Sequence, residues 1–314
     1  MSYEPKFTIT NEILNLVAEI SALAGDLSKS GGAAAPSLRR SNRIKTVHAS
    51  LAIEQNTLTL EQVTAVLQGK RVIAPERDIA EVRNAFAAYD SLGMYDPFSC
   101  DDLLEAHGIM MKGLVDEAGA FRSVPAGVAD SSGRIIHFGT LPQYVPQLMS
   151  ELLAWLENTD VHPLVAGCVF HFELENIHPF IDGNGRIGRL WHTLILSKWN
   201  STFAWLPVES IVHRRQKAYY DAINMADAAC DSTVFIVFML KAIKEAILES
   251  GGSGRSLEES LLKLMRKDPD ITIAEMAGRL GRSESTIKRA VAPLKAKGTV
   301  RREGSRKSGR WAVK

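Results

Sequence analysis

The segment that most restricts this chain is His178-Pro179-Phe180-Ile181-Asp182-Gly183-Asn184-Gly185-Arg186-Ile187-Gly188-Arg189, a polar run lodged between two apolar stretches with helical spacing. It brings together a base, an acid, glycines, an amide and two arginines, which is the composition of a phosphate site. Gly183 and Gly185 let the backbone turn tightly, so that successive N–H groups converge on an anion where the next helix begins and its dipole is positive. Arg186 and Arg189 follow at i, i+3, and on a helix that spacing puts both guanidiniums on one face. Asp182 offers a hard oxygen ligand suited to Mg²⁺, which binds through one or two carboxylates plus substrate phosphates. His178 offers a base that titrates near neutrality.

A chain of 314 residues can bury a substantial core, as one large domain or two. With 46% hydrophobic and 23% charged residues it has the balance of a soluble globular protein, and no apolar run approaches the roughly 20 residues that span a bilayer. The first residues, Met1 to Lys6, lack the basic-then-apolar plan of a secretory signal. Cys100, Cys168 and Cys230 are odd in number and far apart, which suggests neither a disulfide framework nor a zinc site. The expected location is therefore cytoplasmic, with no membrane partner. The formal net charge of +1 hides an asymmetry, because residues 250–314 hold 16 Lys/Arg against 7 Asp/Glu, a balance of +9 that leaves −8 on the first 249. Such a split argues for two domains with different partners, the basic one being a candidate for nucleic acid.

Apolar spacing is helical through Ile13–Ile20, Val63–Leu67 and Asp78–Phe86, and Ser99 with Asp101 and Asp102 reads as a capped helix start. The stretch from Gly119 to Pro142 breaks that habit. Two short β-rich pieces flank Asp130-Ser131-Ser132-Gly133, which predicts a hairpin. Helical patterning returns at Val145–Glu157, Pro163–Glu175, Arg186–Lys198, Arg214–Asp227 and Ser232–Glu249. The Gly/Ser-rich stretch 249–256 reads as a flexible linker where the charge changes sign. Beyond it a short helix, a second helix ending near Gly281 and a basic helix carrying Lys288, Arg289, Lys295 and Lys297 follow the helix-turn-helix plan. Thr299–Val313 then reads as a two-stranded basic wing. Duplex DNA is the expected partner of 257–314, with protein interaction or dimerisation as the other use of such a module.

The run His178 to Arg189 matches in full the signature of the Fic family, His-Pro-Phe-x-Asp/Glu-Gly-Asn-Gly-Arg-x-x-Arg, and the chain resembles that family from about residue 40 to 245. The resemblance implies an all-α Fic core with a small β-hairpin flap, followed here by a winged-helix α+β domain. It divides the chain into an N-terminal helical region, 1–110, with an inhibitory helix near 41–56, then a catalytic core, 111–248, the linker 249–256, and the winged module 257–314. The implied activity is transfer of AMP from ATP to a Ser, Thr or Tyr hydroxyl of a target protein, with release of pyrophosphate. The related Doc branch, which phosphorylates, departs from the Gly-Asn-Gly core that this chain keeps.

Under that resemblance His178 is the general base for the attacking hydroxyl, and Asp182 holds the Mg²⁺ that bridges the α- and β-phosphates. Gly183, Asn184 and Gly185 form the anion hole, with the Asn184 amide taking part; Arg186 supports the β-phosphate and Arg189 the γ-phosphate. Pro179 and Phe180 set and anchor the loop. Ser50-Leu51-Ala52-Ile53-Glu54-Gln55 resembles the family's inhibitory pattern Ser/Thr-x-x-x-Glu-Gly/Asn, whose Glu pairs with the second signature arginine and obstructs the γ-phosphate. Those partners are here Glu54 and Arg189. Position 55 departs from the pattern, with Gln where Gly or Asn is usual, which leaves the end of that helix open.

The hairpin, about Val128–Phe138 and including Arg134, Ile135, Ile136 and His137, corresponds to the family's target-docking flap, which adds a strand through main-chain hydrogen bonds. Tyr219, Tyr220 and Asn224 lie on the helix that follows the active site in this family, and Tyr220 is the expected adenine or ribose contact. His171, near Glu173 and Glu175, reads as a helix-packing histidine rather than a metal ligand. Relatives often form homodimers, and self-modification is a further expectation. Two other readings stay open on the residues: a DNA-binding regulator whose Fic site senses nucleotide, and a Fic enzyme with another donor or with de-AMPylating activity.

Overall fold

The structure is a computed structural model that describes residues 3–29, 36–129, 135–138, 140–280, 283–303 and 309–313. The chain divides into two units, Met1–Ile247 and Leu248–Lys314. The first is helical. α1 (Asn11–Lys29) buries Ile13, Leu16, Ile20 and Ala24, one stripe at helical spacing. α2 (Pro36–Ile53) differs, burying Asn42, Thr46 and Ser50 beside Val47 and Leu51, so that hydroxyl and amide groups lie inside the fold. α3 (Leu60–Leu67) opens on a capping box between Thr59 and Gln62. α4 (Glu76–Asp90) follows, then α5 (Cys100–Met110), where the Ser99 Oγ accepts from the Asp102 N–H at 3.1 Å, the cap its sequence announces. β1 (Gly127–Ala129) and β2 (Ile135–Phe138) pair antiparallel with Val128 opposite His137, and the register shifts between Val128 and Ala129.

After α6 (Val145–Asn158) come the two helices that carry the signature, α7 (Pro163–Ile177) and α8 (Asn184–Trp199). α7 is apolar on all sides because both sides are covered. Phe170 and Leu174 join a core with Phe180, Leu190 and Trp191, whereas Val165, Val169 and Phe172 join a second core with Ile13, Ile20 and Phe235. The two helices approach closely because each sets a glycine against a histidine of the other. A Cβ at Gly188 would lie 2.8 Å from His171 Cδ2, and one at Gly167 would lie 2.9 Å from His192 Cδ2. The helix expected over 214–227 is α10 (Gln216–Ala229); a further helix, α9 (Val208–Arg214), precedes it, and the two are separated at Arg215, whose N–H turns back to Ile211 and Val212.

α11 (Thr233–Lys267) corrects the expected linker, since the backbone of 249–256 is helical. Strong helix formers on either side carry the helix through, against a cost of about 1 kcal/mol per glycine. The division between the units falls after Ile247, within one residue of the expected end of the core at 248. In the second unit α12 (Ile273–Leu280), α13 (Glu284–Ala296) and the antiparallel pair β3 (Val300–Glu303) and β4 (Arg310–Val313) enclose Met265, Met276, Ile287, Leu294 and Trp311. Trp311 is pinned by its Nε1–H to the Ile271 carbonyl at 2.8 Å. This is the helix-turn-helix and wing that the sequence predicts.

Candidate active site

The signature loop starts where α7 stops. His178 caps that helix in the left-handed conformation, φ 53°, with its N–H on the Leu174 carbonyl at 2.9 Å. Its Nδ1 lies 3.3 Å from the Glu175 carbonyl. A carbonyl can only accept, so Nδ1 carries the proton and Nε2 is the basic nitrogen. Phe180 is fully buried and stacks on the His107 ring at 3.7 Å. His107 in turn grips the loop: its Nδ1 accepts from the Gly119 N–H, so its Nε2–H donates to the Asp182 carbonyl at 3.0 Å. Burial pushes its pKa down to about 4, which keeps it neutral.

Gly183, at φ 90°, turns the chain into α8. Its N–H is taken by Asp182 Oδ1 at 2.6 Å, so the N–H groups that open the helix without an intrahelical acceptor are those of Asn184, Gly185 and Arg186. Asn184 is tied into the loop. Its Oδ1 accepts from the Phe180 N–H and its Nδ2 donates to the Phe180 carbonyl, both at 2.9 Å, so this buried amide braces the loop.

The two arginines share a face but not partners. Arg186 donates to Asp182 Oδ1 at 2.8 Å and to Glu81 Oε1 at 3.4 Å, and its buried Nε meets no acceptor among the described residues. Arg77 closes a four-membered charge network, 3.3 Å from Asp182 and 3.5 Å from Glu81. Arg189 is bound from α2: Nε to Ser50 Oγ at 3.1 Å, and Nη2 to the Ser50 carbonyl at 3.0 Å and to Glu54 Oε1 at 2.7 Å. Burial is the largest influence and opposes the Arg189 charge, but the Glu54 carboxylate, helped by Tyr219 and Tyr89, raises the guanidinium pKa above its usual value.

Glu54 also reaches the anion cradle itself. A Cβ at Gly185 would lie 2.6 Å from Glu54 Oε1, so a carboxylate rests on the backbone that opens α8. Glu175 stands next to it, 3.4 Å from the same point, and burial, with the Glu54 charge adding and Arg189 opposing, pushes its pKa up to about 7. The turn holding Glu54 is tight. The N–H groups of Gln55 and Asn56 return to the Ala52 and Leu51 carbonyls, both at 3.1 Å, and Gln55 takes φ 67°. That is the left-handed cap a Gly or Asn would supply, adopted here by Gln. Asn56 Nδ2 then bonds Glu81 Oε2 at 2.9 Å and ties the turn to the Arg186 network.

Tyr220 lies at the far side of the same turn, its hydroxyl 3.4 Å from the Ile53 carbonyl, which Gln216 Nε2 also bonds at 2.9 Å. Tyr219 is buried, its hydroxyl 3.1 Å from His171 Nε2, and Glu173 accepts from the Tyr3 hydroxyl at 2.6 Å, so the packing role read for His171 holds. Of the flap, Ile135, Ile136 and His137 form β2, described here by its backbone, and Arg134 lies outside the described residues. Among the described residues no group of three or more His, Cys, Asp or Glu could hold a metal, and no helix is long and apolar enough to cross a membrane. His107, Arg77, Glu81, Asn56 and Arg122 all bear on this loop and were not visible as site residues in the sequence.

A helical core with an anion cradle at the start of one helix, a histidine at the end of the preceding one and a hairpin between earlier helices is the arrangement of a Fic domain. The family model Fic/DOC matches residues 97–196, and a winged helix-turn-helix DNA-binding model matches 256–301. A crystal structure of a Fic family protein from Desulfovibrio desulfuricans G20 is 42% identical, with a TM-score of 0.77 over 99% of this chain and 98% of that one. The chain belongs to the Fic family. It is also similar to protein adenylyltransferase fic-1 of Caenorhabditis elegans, 30% identical over 69% of this chain and 42% of that protein. Protein adenylyltransferase Fic of Nematostella vectensis is 28% identical over 64% and 47%. The chain thus spans less than half the length of these curated relatives.

Proposed function

We propose that this protein transfers AMP from ATP to a Ser, Thr or Tyr hydroxyl of a target protein, and that Glu54 restrains it. The observation that carries the reading is the cradle at Gly185, filled by a carboxylate that also bonds Arg189. A site built to hold an anion beside a base, and held by an internal anion, is a restrained nucleotide site. In the reaction His178 Nε2 takes the hydroxyl proton, the hydroxyl oxygen bonds the α-phosphorus in line, and pyrophosphate leaves. The N–H groups of Asn184, Gly185 and Arg186 fix the phosphates at the positive end of α8, and the arginines face the departing group. The similarity to proteins named adenylyltransferases supports this reading.

Asp182 fits Mg²⁺ as a single hard, half-exposed oxygen ligand, with the nucleotide phosphates supplying further oxygens. Mg²⁺ bound there would neutralise charge on the phosphates. Arg77 and Arg186, which now hold that carboxylate, would have to yield it. The second unit fits a further role, as its exposed basic helix and wing favour duplex DNA through phosphate contacts, and we place the protein in the cytoplasm.

The test is to incubate wild type, Glu54→Gly and His178→Ala with α-labelled ATP and Mg²⁺, with and without lysate. Label on protein in Glu54→Gly, on itself or on a lysate protein, and none in His178→Ala is the expected result. Absence of label in every sample, with ATP bound, contradicts AMP transfer and favours another donor or a sensor.

A further inference from the structure

Arg122 lies between α5 and β1, and its guanidinium gathers backbone carbonyls from three places. Its Nε donates to the His178 carbonyl at 2.6 Å, and Nη2 reaches Ile177 at 3.5 Å. Nη1 donates to Val124 at 2.9 Å and Nη2 also bonds Thr140, so both chain ends of the hairpin are held by the same group. Its own N–H donates to Pro179 at 3.0 Å. The side chain is buried, and among the described residues it meets no carboxylate; burial alone acts on its charge and lowers its pKa.

A buried cation without a counter-charge is expensive, and a structural brace could be made more cheaply from an amide or an apolar contact. What the fork of a guanidinium adds is geometry: five donors in one plane fix several acceptors relative to one another. The acceptors fixed here are the backbone of the base and the two roots of the hairpin. His178 needs such help, because it is a non-glycine residue held in the left-handed region.

We propose that Arg122 is a positioning residue for AMP transfer, setting the His178 imidazole and the hairpin that presents the target hydroxyl in one frame. The proposal rests on the AMP-transfer reading. It makes Arg122 indifferent to nucleotide binding, since none of its acceptors belongs to the cradle at Asn184 to Arg186.

The test uses full-length Glu54→Gly protein with Arg122→Lys or Arg122→Ala added. Loss of alignment by about 1 Å is expected to lower AMP incorporation by about 10²-fold. Affinity for a non-hydrolysable ATP analogue, read by calorimetry, should stay within about twofold, and millimolar methylguanidinium should restore part of the incorporation in Arg122→Ala but not in Arg122→Lys, where the ammonium fills the site. Hydrogen exchange supplies a readout that needs no AMP transfer: amides within 123–141 and within 174–181 should quicken together in both variants. Incorporation within about threefold of the parent overturns the proposal, as does a parallel loss of nucleotide binding without rescue, or exchange that quickens in one segment alone. If the Glu54→Gly parent itself modifies nothing, the AMP-transfer reading fails, and the exchange result still decides whether Arg122 ties the base to the hairpin.

Discussion

In the first unit Arg122, Arg186 and Arg189 are 2–3% exposed, and each is fixed by named acceptors. In the second unit the side chains of Lys288, Arg301 and Arg310 are 63%, 77% and 66% exposed and lean on single acids. The same charge does different work in the two places. A buried guanidinium contributes direction, because desolvation makes every misplaced acceptor costly. An exposed base contributes to a field that salt screens. The charge asymmetry of the sequence, −8 against +9, therefore marks the less demanding of the two uses.

Conservative replacement should separate them most sharply. In the Glu54→Gly protein, Arg189→Lys keeps the charge but loses the fork, and AMP incorporation is expected to fall by about 10²-fold or more. Arg310→Lys should leave duplex binding within about twofold. Equal effects at both positions would dissolve the comparison. Salt comes next: affinity of the full chain for duplex DNA should fall steeply between 50 and 200 mM salt, with a log–log slope of about −0.9 for each phosphate neutralised. Binding that ignores salt would instead assign the module to a protein partner.

A smaller effect concerns Glu175. Its folded pKa of about 7 lies above the ordinary carboxylate value, so the folded state holds its proton more tightly. Its contribution to stability is full below about pH 4.5 and is lost as pH rises to about 7. Glu175→Gln should therefore flatten the stability profile across that window, as read by denaturant midpoints; an unchanged slope would show the carboxyl ionised in the folded protein. Smallest is Gln55→Asn, which eases the left-handed turn and should lower basal incorporation by about twofold by docking Glu54 more firmly.

The signature loop was legible because its chemistry is local: base, acid, glycines and arginines follow one another, and neighbouring helices announce themselves by apolar spacing. Its supports were not. Arg122 meets His178 from 56 positions away, His107 meets Asp182 from 75, and Glu81 meets Arg186 from 105, so no short window contains both partners. The bracing role of Asn184 was hidden for the opposite reason, as its neighbours suggest a phosphate ligand and do not show that the turn at Phe180 bonds both atoms of its amide. The stretch 249–256 misled through composition alone, because glycine content describes what a segment prefers and not what its flanking helices impose.

Restraint by Glu54 acting through Arg189 is the central prediction. The most direct measurement is the rate of AMP incorporation in wild type, Glu54→Gly, Glu54→Gln and Glu54→Gly with Arg189→Lys, at saturating ATP. Incorporation that rises strongly in Glu54→Gly, rises less in Glu54→Gln and collapses when Arg189 is also changed is the predicted pattern. Equal rates in wild type and Glu54→Gly, with ATP bound in both, would show that the carboxylate resting on Gly185 restrains nothing.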